Sequence, residues 1–248
     1  MDNRCKFGLL GKNISYSFSR KYFSEKFLKL GLNDYKYFNF DIPEIEEFPF
    51  LLYHKEEEFR GLNVTIPYKE SVMRYLDEVD IDAKKIGAVN TIKVNDDNKL
   101  IGYNTDFYGF QKSIQPLLKK HHTKALILGT GGASKAIAYA LNEMKIEYKF
   151  VSRKVTENMF LYSMLTKEIM EEHTVIVNCS PIGTHPNINE SPNIPYEFLT
   201  KNHLLFDLIY NPDETKFLAE GKKRGAIIKN GLEMLQLQAE KSWEIWNS

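Results

Sequence analysis

An α/β chain of two domains is predicted by three features of the sequence. Apolar runs of strand length alternate with stretches of helical periodicity, and the later strands are almost continuously apolar, as parallel strands covered on both faces are. In the middle of the chain an apolar run, Ala125-Leu126-Ile127-Leu128, stops at Gly129-Thr130-Gly131-Gly132-Ala133, beyond which Ala136, Ile137, Ala140 and Leu141 recur at helical spacing. The 248 residues, 43% apolar and 27% charged, suffice for one large core or two smaller ones.

Taken in order, Lys6 to Gly11 reads as a strand and Ser19 to Leu30 as a helix with Tyr22, Phe23, Phe27 and Leu30 on one face, ended by Gly31. Tyr35 to Phe40 is a second strand and Ile42 to His54 a helix. Arg60 to Ile66 is a third strand, stopped by Pro67, which also opens a helix over Tyr68 to Leu76. AVNTIKV and KLIGYN flank the turn-rich Asn95-Asp96-Asp97-Asn98 and predict a hairpin closing the first sheet.

Asp106 to Leu118 then reads as a helix, and the domain boundary falls near Asn104 to Asp106. Beyond the glycine turn come strands at Tyr148 to Ser152, Val175 to Cys179 and Leu204 to Ile209, a proline-punctuated loop from Pro181 to Pro195, a helix over Glu214 to Arg224 and a short strand at Ala226 to Lys229. This second half is a doubly wound unit. Residues 154–174 are short for the βαβ unit they must hold, which predicts a trimmed helix or a missing edge strand. Gly231 to Trp246 is a long amphipathic helix with Leu232, Leu235, Ala239, Trp243 and Trp246 along one side.

Thirty-three basic residues balance thirty-three acidic ones, so no long-range field points to nucleic acid or an anionic membrane as partner. Cys5 and Cys179 stand far apart and provide neither a redox pair nor metal-site spacing, which fits a reducing cytoplasm. No run has signal-peptide or membrane-spanning character, so a soluble, cytoplasmic protein, monomer or homodimer, acting on a small molecule is expected.

Glycines at a strand-to-helix turn let the backbone approach a phosphate closely, and the N–H groups and positive end of the helix favour its charge. A dinucleotide pyrophosphate is the natural guest of Gly129 to Ala133, although Ser134 occupies the third position of the G-x-G-x-x-G/A pattern, and a plain tight turn is the alternative. Ser17 and Ser19 lie between a strand and a helix, where their hydroxyls either cap the helix or converge on a small anion such as a carboxylate. Thr65 and Lys69 sit just past an apolar strand, where open α/β sheets present their ligand crevice; a lysine there can hold a hydroxyl and exchange a proton, or simply be solvated. Asn90 and Asp106 lie at the two outer ends of the hairpin, hence at one edge, and Asp106 can cap the next helix, pair with Lys69, or both. After the next strand, Ser152-Arg153-Lys154 stands where an NAD enzyme more often has an acidic residue; the two cations suit a ribose 2′-phosphate, a plain surface basic pair being the alternative.

GLLGKNISYSFSR, GLNVTIPYK, GAVNT, GYNTDFYGF, LGTGGASKA, VNCSPIG, FDLIYNP and NGLEMLQLQA occur in this order and spacing, and nearly the whole chain thereby resembles the shikimate dehydrogenase family. The resemblance implies a reversible NADPH-dependent reduction of 3-dehydroshikimate to shikimate, a step toward chorismate and the aromatic amino acids. It also implies a substrate domain over residues 1–105 completed by 231–248, and a Rossmann-like NADP-binding domain over 106–230. On this chain it points to Ser17 and Ser19 for the substrate carboxylate, to Thr65, Lys69, Asn90, Asp106, Tyr210 and Gln238 around the ring, and to Lys69 with Asp106 as the catalytic pair. Gly129, Thr130, Gly131, Gly132, Ala133, Ser152, Arg153, Lys154 and Gly231 would hold NADP; no metal is implied. Gln236 is read as incidental.

Tyr16 and Arg20 depart from the family's H-S-x-S-P stretch, keeping both serines but altering the pocket's rim, and Ser152 and Lys154 depart from its Asn-Arg-Thr while keeping hydrogen-bonding or cationic character. The rival readings are a quinate enzyme using NAD, a non-catalytic protein that binds shikimate-like ligands, and a two-domain nicotinamide enzyme of folate-linked one-carbon units. The last would want an aromatic stacking surface in place of this hydroxyl-rich rim.

Overall fold

The computed structural model describes residues 6–15, 17–52, 59–154 and 159–248. The chain divides into two units, Met1–Thr105 with Ala239–Ser248, and Asp106–Gln238.

The first unit runs β1 (Lys6–Gly11), α1 (Phe18–Lys29), β2 (Lys36–Asp41), a 3-10 turn into α2 (Phe48–Leu52), β3 (Phe59–Val64), a 3-10 helix at Ser71–Tyr75, β4 (Glu78–Val79), α3 (Ile81–Ile86), β5 (Thr91–Val94) and β6 (Leu100–Tyr103). Its sheet has the order β2-β1-β3-β5-β6-β4. β1 pairs in parallel with both β2 and β3, whereas β5 is antiparallel to β3 and β6. One face packs Leu10, Leu62, Val64, Tyr68, Val72 and Phe48 together. The other packs Phe7, Phe23, Phe27, Ala239 and Trp246, so the chain's last residues supply part of this core. Trp246 is held there by a 2.9 Å bond from its Nε1–H to the Ile92 carbonyl, and a Cβ on Gly61 would overlap its ring.

Four expectations are corrected in this unit. Tyr68–Leu76 is not an α-helix but turns followed by a 3-10 helix, because the Lys69 carbonyl accepts from Val89 N–H (2.7 Å) and the Met73 N–H goes to Glu70 O (3.3 Å). The long-range bond displaces the helical one. Between Ile42 and Leu52 a 3-10 turn over Ile45–Glu47 precedes the short α2; positions 53 and 54 of that expected helix lie outside the described residues. The hairpin of β5 and β6 forms but does not close the sheet: β4 adds a parallel edge, with Glu78 opposite Ile101. Leu30 is 54% exposed, because α1 ends at Lys29 and Gly31, at φ 69°, turns the chain away.

The second unit runs α4 (Asp106–Ile114), β7 (Lys124–Leu128), α5 (Gly132–Glu143), β8 (Glu147–Ser152), β9 (Met159–Leu161), α6 (Lys167–Glu172), β10 (Val175–Asn178), β11 (Leu204–Asp207), α7 (Lys216–Lys223), β12 (Ile227–Lys229) and α8 (Leu232–Trp246), whose final turns belong to the first unit. The sheet order β12-β11-β10-β7-β8-β9 is parallel throughout, and strand order reverses between β7 and β10. This is the doubly wound dinucleotide-fold order. Alternation buries both faces: Ala125, Ile127, Val175, Val177 and Phe206 meet Phe110, Ile137 and Met234 on one side, while Leu126, Leu128, Ile176 and Leu205 meet Met170, Phe217 and Leu218 on the other. The edge strand that the short 154–174 segment put in question is present as β9. Only residues 153–158 separate it from β8, and 155–158 lie outside the described residues. Among the described residues no helix is long and apolar enough to cross a membrane.

Candidate active site

In the first unit the carboxyl ends of β1 and β3 and the amino end of β5 meet at one edge of the sheet. Asn63 stands opposite Thr91, Val64 N–H donates to the Asn90 carbonyl (2.8 Å), and Asn90 N–H donates to that of Tyr103 (3.0 Å). Just past β3, Thr65 N–H donates back to Leu10 O near the end of β1 (2.9 Å). Ser17 is the N-cap of α1, its Oγ accepting from Arg20 N–H at 3.2 Å. Capping and ligand binding are compatible, because a hydroxyl that accepts a backbone N–H still has its own proton to donate. Tyr16 lies outside the described residues.

Ser19 is buried and hydrogen-bonded to the Tyr37 phenol, which burial pushes up. Tyr37 in turn donates to Asn63 Oδ1 (2.7 Å). Asn90 is buried, and its Oδ1 accepts from Thr105 N–H at 2.7 Å. Half-buried Lys69 is tied to this edge through its own carbonyl and Val89, the residue before Asn90. Ser19, Thr65, Lys69 and Asn90 are thus tied to one rim, and Ser17 opens the helix that carries Ser19.

Beneath the rim is a buried polar cluster that sequence reasoning missed. Ser242 Oγ lies 2.8 Å from Thr91 Oγ1 and accepts from Asn63 Nδ2 at 3.0 Å, and Thr105 Oγ1 lies 3.2 Å from Ser242. These residues come from three strand ends and from α8, so only their polar type within apolar stretches could have signalled them.

In the second unit Asp106 opens α4 and is buried, with Gly109 one turn on. A Cβ on Gly109 would stand 2.5 Å from Met234 O and 3.1 Å from the Gln238 Cβ, so glycine there lets α8 come close. Buried Gln238 is thereby brought up against α4, its Nε2 donating to Leu235 O at 3.0 Å. Gln236 is exposed.

All six strands of the second sheet point the same way, so Gly129 to Ala133, Ser152 to Lys154, Tyr210 and Gly231 line one edge. Gly129 has φ 106°, a backbone open to glycine but strained for other residues, and is tied to β8 by donation to Val151 O at 3.0 Å. Gly131 is the N-cap of α5 at φ −76°, ψ 177°, and among the described residues a Cβ there would meet nothing within 4 Å. Among the described residues no side chain caps this helix start, and its free N–H groups suit a phosphate. Ser134, the irregular third position, is buried and donates from Oγ to Gly131 O at 2.6 Å, bracing the turn.

Arg153 and Lys154 are exposed just past β8, and the Arg153 charge acts on the Tyr162 phenol, which burial pushes up. Gly231 is buried, donates to Ile209 O at 3.0 Å, and has no room for a Cβ against the Leu208 carbonyl, which ties the start of α8 to the segment carrying half-buried Tyr210. The cradle at Gly131 and the two cations beside it fit a dinucleotide that carries an extra phosphate.

Behind this edge lies a second network unforeseen from the sequence. Asp207, fully buried at the end of β11, accepts from Asn178 Nδ2 and Ile209 N–H with Oδ1 (3.0 Å each) and from Thr215 Oγ1 with Oδ2 (2.6 Å). Burial pushes its carboxyl up to about 6 against the pull of those three bonds. Polar residues ending apolar strands, Asn178 in VIVN and Asp207 in LLFD, were the available signal.

Residues 9–92 match the shikimate dehydrogenase substrate binding domain. A shikimate dehydrogenase (NADP(+)) of Clostridium botulinum strain Hall is 40% identical over 96% of this chain and 95% of its own length. One from Methanococcus maripaludis strain S2 is 40% identical over 96% of this chain and 90% of its own. Among solved structures, shikimate 5-dehydrogenase from Thermus thermophilus in complex with NADP(H) and shikimate superposes with a TM-score of 0.86 at 31% identity, covering 98% of this chain and 93% of that one.

Proposed function

The chain belongs to the shikimate dehydrogenase family, and from that premise we propose that it interconverts 3-dehydroshikimate and shikimate with NADP, in the biosynthesis of chorismate and aromatic amino acids. What supports the reading is the rim to which Ser19, Thr65, Lys69 and Asn90 are tied, with Ser17 at the start of the helix that carries Ser19, a set of polar groups suited to a ligand with one carboxylate and neighbouring hydroxyls. We assign residues 1–105 with the chain's last helix to the substrate and residues 106–230 to the cofactor. With its lone cysteines the protein belongs in the reducing cytoplasm.

When bound, NADPH supplies the hydride. Gly129 to Ala133 hold its pyrophosphate, Ser152, Arg153 and Lys154 its ribose 2′-phosphate, and Gly231 lines the same edge. Ser17 and Ser19 fix the substrate carboxylate, while Thr65, Asn90, Tyr210 and Gln238 hold the ring. Lys69 gives a proton to the carbonyl oxygen as it becomes a hydroxyl and takes it back in the reverse direction; Asp106 orients that ammonium and accepts from a ring hydroxyl. Lys69→Ala is expected to lower kcat by about 100-fold or more, the usual scale for losing an acid–base group, with shikimate affinity little changed; wild-type turnover in this variant would refute the assignment.

A further inference from the structure

Asp207 is a fully buried carboxylate that the reaction does not use, and its place in the fold is specific. It closes β11, next in the sheet to β10, on the far side of the strand-order reversal from the glycine turn. A dinucleotide bound at such a reversal lies across it, with one half on each side. The adenosine half goes with Gly129 to Ala133 and the end of β8. The nicotinamide half then falls to the segments that follow β10 and β11.

Those segments are built on Asp207. Through Asn178 the carboxylate reaches the loop after β10: Asn178 Nδ2 donates to Asp207 Oδ1, while Asn178 Oδ1 accepts from Ser180 N–H at 3.0 Å and Ser180 Oγ–H at 2.7 Å. Through Ile209 N–H it shapes the turn that leads to Tyr210, and the Ile209 carbonyl accepts from Gly231. Through Thr215, whose Oγ1 also accepts from Leu218 N–H at 3.4 Å, it fixes the start of α7 and hence the far end of the loop Leu208 to Glu214. Asn178 Nδ2, Ile209 N–H and the Thr215 hydroxyl all donate to the carboxylate, the arrangement its ionised form accepts.

We propose that Asp207, acting through Asn178 and Thr215, is a positioning residue for the nicotinamide half of the cofactor. It holds the Asn178–Gly183 and Leu208–Tyr210 segments in the shape that accepts that half. The proposal rests on the reading of the second unit as an NADP site.

The test is equilibrium binding to the full chain of two probes, NADP and adenosine 2′,5′-bisphosphate, the second lacking the nicotinamide half. Asp207→Asn puts an amide donor against groups that now donate to the carboxylate, and Thr215→Val removes the hydroxyl at nearly equal volume. Each is expected to weaken NADP about tenfold, the scale of one lost bond to a charged group, and to leave the bisphosphate at its wild-type affinity. Thr215→Ser, which keeps the hydroxyl, restores NADP binding. Wild-type NADP affinity in Asp207→Asn and Thr215→Val would overturn the proposal, as would equal weakening of both probes, which marks a general loss of the unit's structure. If wild-type protein binds neither probe, the NADP reading itself fails.

Discussion

Replacing Gly131 by aspartate should separate stability from cofactor affinity. The residue has the extended backbone of an N-cap, at φ −76° and ψ 177°, so an L-residue fits without strain, and its Cβ would meet none of the described residues within 4 Å. Three effects then favour the folded state of Gly131→Asp. Removing a glycine's freedom from the unfolded chain is worth about 0.4–1 kcal/mol, the better cap a few tenths, and a negative charge at a helix start about 0.3–1 kcal/mol. Together they amount to about 1–2 kcal/mol, which raises Tm by roughly 2–4 °C for each kcal/mol in a chain of this size. The same carboxylate stands in the space assigned to the pyrophosphate. At about 5 Å from one phosphate charge and an effective dielectric constant of about 20, the repulsion is about 3 kcal/mol, a loss of more than 100-fold in affinity. Thermal melts of the apoprotein and fluorescence titration with NADPH measure the two effects separately. Undiminished NADPH affinity would refute the placement of the pyrophosphate, and a lowered Tm would refute the local geometry.

Three further substitutions test neighbouring parts of the account. Gly129→Ala forces an L-residue to φ 106° and puts its Cβ 3.3 Å from Ser180 N, so it should cost about 1–3 kcal/mol in denaturant melts, in contrast to Gly131 two residues on. The double variant Arg153→Ala, Lys154→Ala should raise KM for NADPH about tenfold or more and leave KM for NADH unchanged, the loss expected when charge-assisted bonds to a phosphate are removed. The folded-state carboxyl of Asp207 is raised from 3.8 to about 6, so the native state holds a proton that the unfolded state gives up between those pH values. The stability it contributes is full below about pH 4 and lost as pH rises through about 6. Relative to Asp207→Asn, wild type should therefore lose up to about 3 kcal/mol between those limits, read from urea melts at each pH.

The fold was legible where its signal is local. Continuous apolar runs disclosed β7, β10 and β11, because a strand buried on both faces needs no partner in sequence to show it. Gly129 and Gly131 were legible as a turn, since one needs a positive φ and the other an empty approach. What stayed hidden depends on contacts distant in sequence. The helix expected after Pro67 is replaced by 3-10 geometry because Val89 takes a carbonyl that helical spacing would have assigned nearby. β4 is two residues long and carries no periodicity to read. The clusters around Ser242 and Asp207 join strand ends and helices from across the chain, so no window of sequence holds them. Ser17 shows the limit from another direction: both readings of its hydroxyl, cap and ligand donor, are compatible with its geometry.

The central claim is that this chain oxidises and forms shikimate with NADP. Initial rates of absorbance change with shikimate and with quinate, each supplied with NADP and with NAD, test it most directly. The highest kcat/KM is expected for shikimate with NADP, with a near-complete loss of that rate in Lys69→Ala. A wild-type protein that reduces no NADP in the presence of shikimate, or that works best on quinate with NAD, would contradict it.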